Sequence, residues 1–202
     1  MRKLLVILPY IAVYAGIHVF QNAWVALFGF HLALLPGIII QSNAIPHKMI
    51  RKVSFRIMVP LMGMGLLAGI AALLVYFITG VPHHLGAELI KLGITSANWL
   101  LFVVYFILVN PWLEELYWRS CFGSTTRLPA FEDLFFAGYH LIILSSFVGT
   151  GWLWVTFILL SFVGWLWRQV TDLTCSLIPA TLSHFTADFS LVLALYFFAV
   201  YS

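Results

Sequence analysis

Charge is nearly missing from this sequence: Asp, Glu, Lys and Arg make up 8% of its 202 residues, where a soluble domain carries about 25%. With 63% hydrophobic and 17% aromatic residues, a water-soluble globule is excluded. Cysteine is almost as scarce. Cys121 and Cys175 stand far apart, with no second Cys or His at ligand spacing, so both read as thiols outside any disulfide framework or thiolate metal site. There is no His-Glu-x-x-His pair, the helical spacing of zinc proteases. No small-x-small cleavage site closes the first apolar run before Gln21 and Asn22, which favours a retained first span over a removed signal peptide. Internal repeats and low-complexity tracts are also missing.

What is there is apolar run after apolar run. Polar breaks divide the chain into spans at about 4–20, 24–40, 57–79, 98–118, 134–149, 151–167 and 177–200, each near the length that crosses a hydrocarbon core as a helix. The expectation is an all-α fold: a polytopic membrane helix bundle of about seven transmembrane helices, six to eight, forming a single domain over 1–202. The lipid bilayer is the partner this composition requires. The net charge of +3 needs no nucleic acid to explain it. Lys48, Arg51, Lys52 and Arg56 cluster in one short loop, a pattern that orients a multi-pass protein of the cell membrane. Starting with Arg2 and Lys3 in the cytoplasm, seven spans put the 41–56, 119–133 and 168–176 loops on that same side. Lys91 is the main exception.

Smaller signals fit this frame. Trp152 and Trp154 open the sixth span while Trp165 and Trp167 close it, as interfacial aromatics do. Gly65 and Gly69, with Gly63 nearby, give the third span a stripe for close helix packing. Segment 81–97, with Pro82, His83, His84, Glu88 and Lys91, is too polar to span and is placed on the outer surface.

Against this background the run Trp-Leu-Glu-Glu-Leu-Tyr-Trp-Arg, with Glu114, Glu115 and Arg119, is costly at membrane depth and reads as functional. His140 and His184 lie inside other apolar segments, and Asp188 follows His184 by one helical turn. At 1.5 Å per residue, the glutamates lie roughly 6 to 8 Å inside the end marked by Arg119. His140 lies roughly 10 Å beyond Glu132 and Asp133, and His184 roughly 8 Å beyond Pro179. Three spans thus deliver polar groups to one layer. Glu115 shares a helix face with Arg119, and Glu114 points about 100° away. Glu115 is expected to hold the helix end while Glu114 faces the histidines as a candidate general base, the two titrating as a coupled pair. For His18 and His31, cross-helix hydrogen bonding suffices, with His31 placed away from the catalytic layer.

These residues resemble the CPBP (Abi) family, the glutamic intramembrane proteases that include CAAX prenyl endopeptidases and bacteriocin-processing or immunity proteins. Three motifs carry the resemblance: Glu114-Glu115 to Arg119, Phe136 to His140, and His184 to Asp188. They fall in that order on separate apolar segments of the C-terminal half, a core of about 98–200. The resemblance implies an intramembrane endopeptidase acting on a protein or peptide near the cytoplasmic face. Water is activated between Glu114 and His140, without a covalent intermediate. His184 and Asp188 stabilise the oxyanion, supported by Glu115, Arg119 and Phe136, and no cofactor is needed. Many members carry Asn at the position of Asp188. An ionised Asp cannot donate to an oxyanion, so here it orients His184. Three alternatives remain open: a zinc protease ligated by Glu, His, His and Asp, a non-catalytic immunity or scaffold protein binding peptides in the same cavity, and a small transporter with a proton relay. Substrate identity and oligomeric state are left open by the sequence.

Overall fold

The computed structural model describes residues 5–41, 50–79 and 85–201. Those residues form eight α-helices and no strands. In chain order they are α1 (Leu8–Tyr14), α2 (Ala23–Gln41), α3 (Phe55–Thr79), α4 (Leu85–Lys91), α5 (Trp99–Glu115), α6 (Phe131–Leu144), α7 (Thr150–Thr174) and α8 (Ile178–Tyr201). Two of them run on as wider π-helical turns, α1 through Ala15–Val19 and α5 through Leu116–Cys121. Five helices are long and apolar enough to cross a membrane: α2, α3, α5 with its extension, α7 and α8. The first and fifth expected spans are helical too but shorter, at Leu8–Val19 and Phe131–Leu144. The expected polytopic helix bundle is therefore what the chain forms.

Its polarity is that of a membrane protein turned inward. Leu32, Leu67, Leu100 and Ile158 are exposed on the outside, while Glu114, Glu115, Asp133 and Arg168 are fully buried. Helices leave no backbone group unpaired in lipid, so the cost of polar side chains falls on the interior, where they can pair. The shell is apolar and the centre is ionic.

α3 and α8 make the most extensive helix contact in the bundle. The glycine stripe explains it: a Cβ on Gly65 would collide with the Ser183 carbonyl and the Thr186 hydroxyl, and one on Gly69 with Ser190. Gly63 faces open space and has no such role. The close approach lets Ser190 Oγ donate to Gly65 O (3.0 Å) and accept from Gly69 N–H (3.0 Å), while Thr186 Oγ1 donates to Met62 O (3.0 Å). This seam fixes α8, which carries His184 and Asp188. Gly69→Val is expected to lower stability by about 1–3 kcal/mol, read as a lower unfolding temperature in detergent.

One loop of the sequence reading is helical instead. The 168–176 segment is not a loop: α7 continues through Thr174 and ends on Cys175 in the left-handed conformation, φ 48°. Arg168 is therefore a buried helical residue. Its Nε and Nη2 donate to Asp133 (3.0 and 2.7 Å), and Nη1 and Nη2 also donate to the carbonyls of Ser124 (3.0 Å), Thr126 (2.5 Å) and Leu128 (2.8 Å). All five guanidinium N–H groups are used. Asp133 is buried in the first turn of α6, where its Oδ2 accepts from Ala130 N–H (2.9 Å). α4 is short and packs Leu85 and Leu89 against Ala23, Ala194 and Phe198. Pro82, His83 and His84 lie outside the described residues, as does Lys48.

Candidate active site

The site begins with a helix broken on both sides of its glutamates. Pro111 lies within α5 and supplies no N–H, so the helical ladder is interrupted one turn before Glu114. From Leu116 the helix widens into the π-helical extension, a local form often found at functional sites. Between these irregularities both glutamates are buried, Glu114 at 1% and Glu115 at 0% exposure.

Glu115 is held from two sides. Arg119 Nε donates to its Oε2 (3.0 Å) and His184 Nδ1 donates to its Oε1 (3.0 Å). The expected pairing with Arg119 is present, yet the division of labour differs from the sequence reading, because Glu115 also orients a histidine. Arg119 lies with its guanidinium carbon 4.6 Å from the Phe136 ring centre and 5.9 Å from that of Trp167, within cation–π range. Among the described residues its two terminal nitrogens have no hydrogen-bond partner, and Nη1 lies 3.9 Å from Asp133 Oδ1. Phe136 is thus the apolar floor of the cluster, edge-on to His140 (5.0 Å) and to His184 (6.1 Å).

His184 is sandwiched. Its ring stacks on Trp167 at 4.6 Å and 26°, and its Nε2 lies 3.5 Å from Asp188 Oδ1, one turn along α8. Trp167 is buried at 3% exposure and donates to Ser183 Oγ (3.1 Å), so it walls the site and is not an interfacial anchor.

Glu114 faces a different set. Tyr139 donates a short hydrogen bond to Glu114 Oε2, and the same hydroxyl lies 3.1 Å from His140 Nε2. His140 Nδ1–H donates to Phe136 O (2.8 Å), which leaves Nε2 as an acceptor in the neutral ring. Glu114 and His140 are therefore joined through Tyr139, where the sequence reading places only water. One hydroxyl proton cannot satisfy two acceptors. The second contact becomes a hydrogen bond only when one of the three groups carries a further proton. Tyr139 cannot easily swing aside, being fully buried between Phe30 at 4.7 Å and Trp118, whose ring is parallel within 4°.

Asn110, one turn before Glu114, donates to Glu114 Oε1 (2.6 Å) and to Asp188 Oδ2 (3.3 Å). His31 donates to Asn110 Oδ1 (3.1 Å), so it reaches the same cluster, contrary to its expected place away from that layer. His18 does make the cross-helix contact expected of it, 3.1 Å to Ile142 O. Motif spacing brought in all seven predicted residues, Glu114, Glu115, Arg119, Phe136, His140, His184 and Asp188. It missed Asn110, Tyr139, His31 and Trp167. For Asn110 a signal existed, an amide at helical spacing from Glu114 inside an apolar run. For Tyr139 there was none, since tyrosine is common in such spans.

Among the described residues no group of three or more His, Cys, Asp and Glu side chains is arranged to hold a metal ion. An apolar groove of about 330 Å³ lies between α5 and α8, lined by Trp99, Val103, Ile107, Phe189, Val192 and Tyr196. Phe189 is the immediate neighbour of Asp188, so the groove adjoins the polar cluster.

Comparison with curated proteins and with solved structures gave no match. Residues 96–190 match the family model described as Type II CAAX prenyl endopeptidase Rce1-like. That segment contains all three motifs and every ionic contact of the glutamates, in agreement with the CPBP resemblance. Over it, a little under half of its length, this multi-pass membrane protein is similar to the Rce1-like CAAX endopeptidases, whose family description denotes a protease.

Proposed function

We propose that this protein is an intramembrane endopeptidase that hydrolyses a peptide bond with water activated by Glu114 and His140. The water proton passes to Glu114, the oxygen attacks the scissile carbonyl, and the proton then moves to the departing amide nitrogen as the C–N bond breaks. His140 Nε2 is an acceptor facing the same hydroxyl as Glu114, so the two groups share the incoming proton. His184 in its imidazolium form keeps Nδ1–H on Glu115 and donates from Nε2 to the oxyanion, with Asp188 Oδ1 3.5 Å from that nitrogen balancing the charge. Preformed donors of this kind contribute about 3–4 kcal/mol in related chemistry.

The observation that carries the reading is the Glu114–Tyr139–His140 bridge, two proton acceptors from different helices meeting at one buried hydroxyl. The substrate is a protein or peptide with an apolar, CAAX-like end. The catalytic core lies within 98–200, hydrolysis proceeds without a metal, and the site sits near the cytoplasmic face of the cell membrane with the N-terminus inside, as the distribution of Lys and Arg favours.

The test uses the full chain in lipid nanodiscs and an internally quenched peptide bearing a prenylated cysteine followed by three residues. His140→Ala should abolish cleavage while membrane insertion is unchanged, and wild-type cleavage should survive strong chelators. Cleavage that persists in both His140→Ala and Glu114→Ala removes the mechanism. Loss on chelation with recovery on added zinc moves the protein to the metalloprotease class.

One observation favours a second reading. The Tyr139 hydroxyl stands between Glu114 and His140 and competes for the water position, which suits a non-catalytic immunity or scaffold protein that binds peptides in the same cavity. Such a protein keeps its biological effect when Glu114 is replaced.

A further inference from the structure

A second polar chain enters the cluster from α2, and no step of the mechanism above uses it. Its links are directional. Asn110 contacts two carboxylates, Glu114 and Asp188, so the nitrogen side of its amide must face them, since an amide oxygen there would be repelled. Its oxygen then faces His31, and because that oxygen only accepts, His31 Nε2 carries the proton of that 3.1 Å contact. In the neutral imidazole Nδ1 is left as an acceptor, and Tyr105 O–H donates to it at 2.9 Å. Tyr105, His31 and Asn110 therefore form one head-to-tail series of donors ending on the two acids. Asn110 and His31 are buried at 3% and 4% exposure, where an unmade hydrogen bond is costly.

The spatial logic is equally specific. Glu114 and Asp188 come from α5 and α8, and two carboxylates brought together in a low-dielectric interior repel unless a donor stands between them. Asn110 is that donor. Its amide has two rotational positions related by a half-turn, and only one presents N–H to the acids. His31 selects it. Glu114 is thus gripped at Oε1 by Asn110 and at Oε2 by Tyr139, which fixes the plane of the carboxylate.

We infer that Asn110 is a positioning residue for Glu114 and Asp188, set in orientation by His31, so that the Tyr105–His31–Asn110 chain aligns the two acids for the reaction. The inference rests on the endopeptidase reading above. It predicts that Asn110→Ala lowers kcat on the quenched prenyl peptide by about tenfold to a hundredfold, as expected for lost hydrogen bonds to charged groups, with KM changed by no more than about threefold. His31→Leu should behave similarly. His31→Gln, which keeps an N–H donor, should retain most of the rate. Adding Asp188→Asn to Asn110→Ala should recover at least about tenfold, since it removes one of the two opposed charges.

An activity-independent arm separates the inference from the reading it rests on. Infrared difference spectra of the purified chain in nanodiscs, with Glu114→Gln and Asp188→Asn used to assign bands, should show both carboxylate bands shifted in Asn110→Ala and in His31→Leu, and unshifted in His31→Gln. If the wild type cleaves no peptide but these bands shift, the endopeptidase reading fails and the positioning stands. If cleavage is present and Asn110→Ala keeps full kcat, raises only KM, gains nothing from Asp188→Asn or leaves the bands unmoved, the positioning inference is overturned.

Discussion

Glu114→Gln is expected to reduce peptide-bond hydrolysis by about a thousandfold, within the range of about 10² to 10⁴ that a positioned general base supplies. Glutamine is nearly isosteric and can still accept from either Tyr139 or Asn110, so the packing that surrounds the 1%-exposed side chain is retained while proton acceptance and one of the two hydrogen bonds are lost. The measurement is single-turnover cleavage of the quenched prenyl peptide, with size-exclusion behaviour and unfolding temperature as controls. Tyr139→Phe supplies the contrast. It removes the hydroxyl that joins Glu114 to His140 but neither acceptor, so a fall of about tenfold is expected for one hydrogen bond to a charged group. A rise in rate on Tyr139→Phe would identify the hydroxyl as a blocker of water. Full activity in Glu114→Gln would exclude Glu114 as the base.

The second large effect is structural. Arg168→Leu should destabilise the protein by about 3–5 kcal/mol, the usual cost of removing one partner of a buried ion pair. The side chains of Arg168 and Asp133 are 1% and 0% exposed and meet at 2.7 Å, so the substitution strands a carboxylate that water does not reach. It also releases the carbonyls of Ser124, Thr126 and Leu128, which pin the connection between the π-helical extension of α5 and α6. That connection sets where α6 begins, and hence where Phe136, Tyr139 and His140 point. Limited proteolysis should show new cuts between residues 123 and 130, with a lower unfolding temperature in detergent. Arg168→Lys should recover little, because an ammonium offers three donors in place of a five-donor fork. Unchanged stability in Arg168→Leu would mean that this buried pair contributes nothing net.

The candidate site was legible in the sequence to the extent that its residues follow helical arithmetic. Glu115 to Arg119 and His184 to Asp188 are each four apart, and both contacts form within a helix. Phe136 and His140 are also four apart, and there the imidazole Nδ1 donates back to the Phe136 carbonyl. Depth counted at a fixed rise per residue correctly brought three helices to one layer. The contacts that arithmetic does not reach are those between helices. Tyr139 to Glu114, Asn110 to Asp188, His31 to Asn110 and Arg168 to Asp133 join residues 25 to 79 positions apart. No spacing rule relates such pairs.

The pattern of scarce charge and long apolar runs alone determined that this chain is a helical membrane bundle, because backbone groups in lipid must pair within their own segment. It also determined which residues are too costly to bury without purpose. The tertiary structure decided the partners. Whether His31 merely fills a helix seam or steers Asn110, whether Trp167 anchors an interface or stacks on His184, and whether Arg168 ends a helix or clamps a loop all depend on how the helices rotate against one another. Close packing at Gly65 and Gly69 and the Arg168–Asp133 pair set that rotation, and it comes from the shape of the assembled surfaces, which one helix's sequence does not contain.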